Sequence, residues 1–483
     1  MGRESQVTEN KEFKSMNRRD FLKVGGMSTV ALSLGTTGLL SVGNATPSQA
    51  KGKPTSGFGG YGELLKDPNG ILDLPRGFHY KIISRQGELM TDGTVIPGKF
   101  DGMAAFEGPN NTTILVRNHE LSTGPAFGKN PYDPNAQGGT SALVVGPNRE
   151  VKKEYVTSSG TIRNCAGGAT PWGTWLTCEE NRSEGHGYVF EVDPLQPEND
   201  LSKTPIKEMG RFSHEACAID PSTGYVYLTE DASPSYLYRF IPNDLSQKPG
   251  SLQKGGTLYA AAIEAVTDPS ASTFKTGQTF KLVWKEVDPH WCREEAKEKK
   301  CIEFSRLEGA FFQEGVFWFD DTSAGDKKLG RVYRYVPHTN TLELFYEGND
   351  AQNMEYPDNI CCTPWGDLWF VEDGNGQDRI MGITPEGKVY PFAANSFNDA
   401  EFAGPIFSPD GNTLFVNIQD PGMTFAIWGP FQRRNAARAR EMSYAAPANL
   451  APKLSERTAE AAKAQGMSVL EAAAFERHGV NLD

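Results

Sequence analysis

Thr170-Pro-Trp-Gly-Thr-Trp-Leu-Thr-Cys-Glu-Glu180 returns without a gap as Thr363-Pro-Trp-Gly-Asp-Leu-Trp-Phe-Val-Glu-Asp373. Each copy is a turn, a short apolar run and a pair of acids at its end. Four further stretches share the shape, a short apolar strand closing on acids or amides. They are Thr113–Glu120, Tyr225–Asp231, Val316–Asp321 and Thr413–Asp420, so the motif occurs six times. A second strand often follows after a short loop, as in the Tyr-Val-Phe-Glu-Val of 188–192 and the Val-Tyr-Arg-Tyr-Val of 332–336. Self-similarity at spacings of roughly 50 to 90 residues marks a repeat architecture, in which each unit buries its apolar face only against its neighbours. The spacing is widest between Asp231 and Asp321, where an insertion is expected.

Upstream of each copy stands one more polar residue beside small or apolar ones: Asp101, Cys165, Glu215, Glu308, Asp358 and Glu401. Six repeats of several short strands predict an all-β fold, a six-bladed propeller with inserted loops, because radial repetition leaves few exposed sheet edges. The 51 glycines and 31 prolines fit many strands joined by turns. If the upstream residues lie on the innermost strands, five carboxylates and one thiol converge on the axis. A bare ring of that kind is costly, since like charges repel and resist desolvation. Bound cations would relieve it. The alternative is that the acids cap turns or sit in solvent.

Carboxylates suit calcium, manganese or ferric iron, whereas a thiolate does not suit calcium. Cys165 as a ligand therefore implies a transition metal beside calcium; otherwise it is a small buried residue in a Gly-rich turn. Arg306, Arg211 and Arg117 lie close in sequence to Glu308, Glu215 and Glu120. A guanidinium fork matches phosphate oxygens, but it could equally neutralise the acids alone. His119 and His214 each precede a candidate ligand; a histidine ligand is one reading, but strand alternation favours turning them toward the blade interior. Cys178, Cys217, Cys361 and Cys362 sit in apolar strands, while Cys292 and Cys301 flank a charged segment and could pair. No Gly-rich phosphate loop, G-x-S-x-G elbow or H-E-x-x-H helix occurs.

Near the N-terminus, Asn17-Arg18-Arg19-Asp20-Phe21-Leu22-Lys23 precedes an uncharged, Gly-rich stretch to Ala50. This is the layout of a twin-arginine export signal, expected over 1–50 and cleaved, with the translocase as partner during export and a periplasmic or secreted destination. Beyond it the chain carries 42 basic and 57 acidic residues, a balance that disfavours nucleic acid and anionic membrane as partners. No other run supplies the roughly 18 apolar residues of a stable membrane span. The propeller is expected over 51–435 and an Ala- and Glu-rich helical tail over 436–483.

The export signal, the RNHE of 117–120, the NCAGGATPWGTWLTCEEN of 164–181, and the RFSHEA, FSRLEGAFF and TPWGDLWFVEDG segments together resemble the PhoX alkaline phosphatases, over roughly 60–430. That resemblance implies a six-bladed propeller around ferric iron and calcium (Fe3+ and Ca2+) and hydrolysis of exported phosphomonoesters by water activated on metal. It implies that Cys165 binds iron, that Glu215 and Glu308 are metal-binding glutamates acting in catalysis, and that Arg306 contacts phosphate. Glu180 would bind calcium, and Glu401 would be a further ligand. Glu120, Asp358, Glu372, Asp373 and Asp101 are metal candidates from the repeat alone. Asp420 stands where many members carry histidine. The competing expectations are a calcium-dependent lactonase or esterase, or a non-catalytic envelope protein whose metals only tie blades together.

Overall fold

The computed structural model describes residues 60–264 and 270–431; the expected signal segment and C-terminal tail lie outside them. The fold is all-β and propeller-like. The inner strands Phe100–Gly108, Asn164–Ala169, His214–Ile219, Leu307–Gln313, Pro357–Cys362 and Phe402–Phe407 each pair antiparallel with the strand that follows. Each touches the inner strand of the next repeat, and the last touches the first, so the contacts close into a ring.

Behind the inner strands the chain meanders outward through five sheets. One has nine strands because two meanders merge where Thr279–Glu286 pairs with Gly256–Ile263 on one side and Thr341–Glu347 on the other. The last sheet contains Phe402–Phe407, Leu414–Ile418 and Met423–Trp428, and borrows His79–Arg85 from the start of the described chain. Joining the two ends of the chain in one sheet closes the circle without a covalent link.

Packing explains the sequence pattern. Trp175–Glu179, Val226–Glu230, Leu368–Glu372 and Leu414–Ile418 are buried at every position. Sheets that stack on both faces bury both sides of a strand, so these read as continuous apolar runs without polar alternation. His79–Arg85, an outermost strand, instead mixes exposed and buried positions.

The only α-helix among the described residues, α1 (Cys292–Glu298), lies in the insertion between the third and fourth repeats. Its charged residues from Glu294 onward are largely exposed, while Arg293 reaches back to the buried Glu230. Cys292 and Cys301, which could have paired, are both free, buried thiols packed in the same apolar cluster. No helix of the described residues is long and apolar enough to cross a membrane.

Candidate metal centre

One backbone device places the candidate ligands. In five repeats, the residue two before the inner-strand ligand accepts a hydrogen bond through its carbonyl from the tip of the neighbouring strand. The pairs are Glu120 N to Lys99 O (2.9 Å), Glu180 N to Arg163 O (2.9 Å), Asp231 N to Ser213 O (3.1 Å), Thr322 N to Arg306 O (2.9 Å) and Asp373 N to Tyr356 O (2.9 Å). Four of the acceptors are left-handed, with φ of 51° at Lys99, 51° at Arg163, 62° at Arg306 and 47° at Tyr356. Such conformations are uncommon in residues with a side chain and gather at functional sites. Register breaks immediately afterwards, between 100 and 103, 164 and 167, 214 and 217, 307 and 310, and 357 and 360. The interruption re-aims one side chain per strand, as bulges do. Those side chains are Asp101, Cys165, Glu215, Glu308 and Asp358.

Neighbouring repeats hold the same strands by their carbonyls. Asn118 donates to the carbonyls of Cys165 (3.2 Å) and Ala166 (2.8 Å), Thr229 to Glu308 (2.6 Å) and Asn417 to Asp101 (2.7 Å). All three donors are buried. The backbone at these candidate ligands is thereby fixed from the neighbouring repeat.

The ligand atoms of Cys165, Glu180 and Glu215 lie within 4.8 Å of one another, as do those of Glu215, Glu308 and Asp358. Glu215 belongs to both groups. Gln419 joins Asp101 (3.1 Å) to Glu120 (3.0 Å) through its amide, and Glu401 hydrogen-bonds Asp373. Burial, followed by neighbouring carboxylates, pushes Glu215, Glu308, Asp101 and Glu401 well above the usual carboxylate range. The same causes push Asp358 up to about 8. Burial pushes Glu180 up to about 7 against the opposing pull of Arg163. The Cys165 thiol is raised by burial and then by Glu215. Without cations, this ring takes up protons to lower its charge.

Glu372 is a correction. It pairs opposite Pro357, accepts from Arg379 Nε (2.6 Å) and Glu355 N (2.9 Å), and faces its own sheet; Asp373 faces the ring. The preceding acids Glu179 and Glu230 behave likewise, held by His186 (2.7 Å) and by Arg293. In the fourth repeat the expected tip acid, Asp321, pairs opposite Leu307 and accepts from Ser305 N at 3.0 Å, which leaves Thr322 at the tip. Asp420 meets Lys99 at 3.0 Å on an exposed edge, and Gln419 takes the inward position.

Two of the three arginines singled out from the sequence point elsewhere. Arg117 is fully buried against Glu154 (2.8 Å), and Arg211 ties the 182–186 loop by its carbonyls. His119 and His214 face away from the ring onto the carbonyls of Gly98 and Gly210 (both 3.0 Å). Arg306 does meet the acids, bonding both oxygens of Asp231 (2.9 and 3.0 Å) and Glu308 (2.8 Å). Arg163 was missed. It bonds Glu120 at 2.7 Å and also Glu180. Its signal was its position, two residues before Cys165 as Arg306 is two before Glu308.

The family model for "Alkaline phosphatase PhoX" matches residues 59–422. The chain belongs to the PhoX alkaline phosphatase family. Its function is that of a metal-dependent phosphoric monoester hydrolase acting on small phosphate esters. Among solved structures it is similar to Pseudomonas fluorescens PhoX in complex with vanadate, a transition state analogue. That similarity has 19% identity, covers 74% of this chain and 96% of that one, and gives a TM-score of 0.59. It is also similar to a regucalcin from Agrobacterium tumefaciens (12% identity, 74% and 98% coverage, TM-score 0.38). A gluconolactonase from Xanthomonas campestris gives 11% identity, 72% and 100% coverage, and a TM-score of 0.37. No curated protein sequence matches the chain significantly.

Proposed function

We propose that this PhoX-family chain hydrolyses phosphomonoesters at a mixed iron and calcium centre on the axis of a six-bladed propeller. The observation that carries the proposal is Glu215, which belongs both to a group containing the Cys165 thiol and to an all-carboxylate group beside Arg306. Thiol with carboxylate is a donor set for a transition metal, and carboxylates alone are one for calcium. Cys165 and Glu215 would hold iron, with Glu180, Glu308 and Asp358 holding calcium and Asp101, Glu120 and Glu401 completing the charge around it. The raised carboxyl groups fit the same donors, because cations replace the protons that the bare ring must carry.

Bound there, the cations supply Lewis acidity and lower the pKa of water toward neutrality. The chain's own contribution is positional. Arg306 is steered by Asp231 and Glu308 and keeps Nη1 for a phosphoryl oxygen, matching charge that grows on phosphorus-bound oxygens during transfer. Among the described residues, no serine or cysteine motif supplies a covalent nucleophile, and none is required. The paired Arg18 and Arg19 of the N-terminal segment support twin-arginine export to the periplasm or beyond.

Elemental analysis of native protein alongside p-nitrophenyl phosphate turnover tests the proposal. Iron with calcium, and turnover abolished by calcium chelation, is the expected result. Cys165→Ser should lose iron and activity together, at least about a hundredfold in kcat/KM, since even supporting residues of metal sites cost ~10–100-fold. Full activity in Cys165→Ser, or calcium alone without turnover, overturns it.

A further inference from the structure

We infer that Arg163 is a second phosphoryl-anchoring residue, set across Glu215 from Arg306. The inference rests on the phosphatase function proposed above and names a group that closes on the same phosphate from another flank.

The two arginines are equivalents in the repeat. Each lies two residues before an inner-strand ligand, in the left-handed conformation. Each is held by the tip acid of the preceding repeat: Arg306 by Asp231 (2.9 and 3.0 Å), Arg163 by Glu120 (2.7 Å). Each also touches an acid of its own repeat, Glu308 for Arg306 and Glu180 for Arg163. Glu215 clusters with both of those acids. The order across the mouth is therefore Arg163, Glu180, Glu215, Glu308, Arg306.

Their free donors set them apart from two other arginines that grip buried acids. Arg379 and Arg331 also grip buried acids, but every guanidinium nitrogen of each has a protein acceptor. Arg379 uses Nη1 on Gln352 O (2.8 Å) and Nη2 on Ala351 O and Glu372, and Arg331 uses Nη1 on Ala271 O (2.6 Å). Among the described residues, Arg163 and Arg306 leave Nη1 without a hydrogen-bond partner, and their side chains are 42% and 41% exposed. Arg163 also keeps Nε buried and unbonded. A guanidinium already oriented by carboxylates loses little freedom when it accepts an anion. Cations within the ring would take up the charge of Glu120 and Glu180, leaving that of Arg163 for the phosphate.

The test uses full-length, metal-loaded protein and inorganic phosphate as the probe. Phosphate affinity is measured by calorimetry, metal content by elemental mass spectrometry, stability by thermal melting and turnover with p-nitrophenyl phosphate. Arg163→Gln and Arg306→Gln should each weaken phosphate binding roughly tenfold to a hundredfold, the range for one charge-assisted bond, with metal content unchanged. If Arg306→Gln weakens binding and Arg163→Gln does not, Arg163 is a brace and this inference alone fails. Loss of metal in Arg163→Gln overturns it in the same way. If the unaltered protein neither binds phosphate nor turns over substrate, the phosphatase proposal fails with it. Should Arg163→Gln not fold, Arg163→Lys decides, since it keeps the charge and loses the fork. Affinity reduced about threefold or more at an unchanged melting temperature supports anchoring, and unchanged affinity overturns it.

Discussion

The six inner strands do opposite things at their two ends. At one end they present carboxylates, a thiol and guanidinium groups. A few residues further along they enclose a cavity of about 120 Å³, lined by Gly102, Ala104, Ala166, Gly168, Ala216, Gly309, Gly404 and their neighbours. The polar end concentrates charge that resists burial, while the other end is nearly featureless. The second makes the first available. A Cβ on Gly309 would meet Asp358 O at 2.4 Å, and one on Gly102 would meet Ala166 Cα at 2.7 Å. Each of these glycines directly follows a candidate ligand, and its missing side chain lets the next ligand strand close in. The convergence of the candidate ligands is therefore set by small residues that present no side chain to the ring.

Breaking that close approach gives the largest effect. Gly309→Val would push a branched side chain into the Asp358 backbone, where no flexible group can yield. Overpacking of this kind costs about 1–3 kcal/mol or more. Because the strain falls between Glu308 and Asp358, it should appear first as lost metal. Melting with and without chelator checks this: the metal-dependent part of the stability should vanish in the variant. A variant that keeps its metal and melts normally would detach the cavity from the ring.

The polar end responds to pH. Asp358 and Glu180 are pushed up to about 8 and about 7, against roughly 4 for unperturbed carboxylates. Between those values the metal-free folded state binds more protons than the unfolded state, so its stability falls as pH rises from about 4 to about 8 and then levels. Metal binding releases those protons, so the stabilisation from metal grows over the same window. Chelated protein should melt higher at pH 5 than at pH 8, and metal-loaded protein should show the larger gain at pH 8. Parallel melting profiles with and without metal would mean that the ring carboxyls are not the metal ligands.

The repeat made the ring legible in the sequence. A candidate ligand stands at a recurrent place in Asp101, Cys165, Glu215, Glu308 and Asp358, and the fold brings Cys165 near Glu215, and Glu215 near Glu308 and Asp358. What one sequence does not carry is the position of a bulge. Glu372 and Asp373 are adjacent, and one residue of register decides which faces the axis; pairing with Pro357 turns Glu372 away from the axis onto Arg379. The same one-residue shift replaces Asp321 by Thr322. Arg163 escaped for another reason. Its place in the repeat is kept by backbone conformation and a carbonyl hydrogen bond, while the side chain there varies among Lys99, Arg163, Ser213, Arg306 and Tyr356.

Lys99 occupies the same place with a weaker hold on the ring, its Nζ donating to Gln419 Oε1 at 3.3 Å. It is left-handed like the two arginines and also bonds an acid of the preceding repeat, Asp420, at 3.0 Å. Yet Lys99 and Asp420 side chains are 40% and 59% exposed, and neither belongs to a ligand group. Solvent screens such a pair and ordering two long side chains offsets its attraction, leaving about 0–1 kcal/mol. The backbone hydrogen bond from Glu120 N to Lys99 O does not depend on the side chain. Lys99→Ala should therefore shift the melting temperature by less than about 2 °C and leave phosphate affinity unchanged, in contrast to Arg163→Gln. A loss of phosphate affinity in Lys99→Ala comparable to that of Arg163→Gln would show that positive charge anywhere on the rim suffices. The contrast between a free, oriented guanidinium and an exposed ammonium would then carry no specificity.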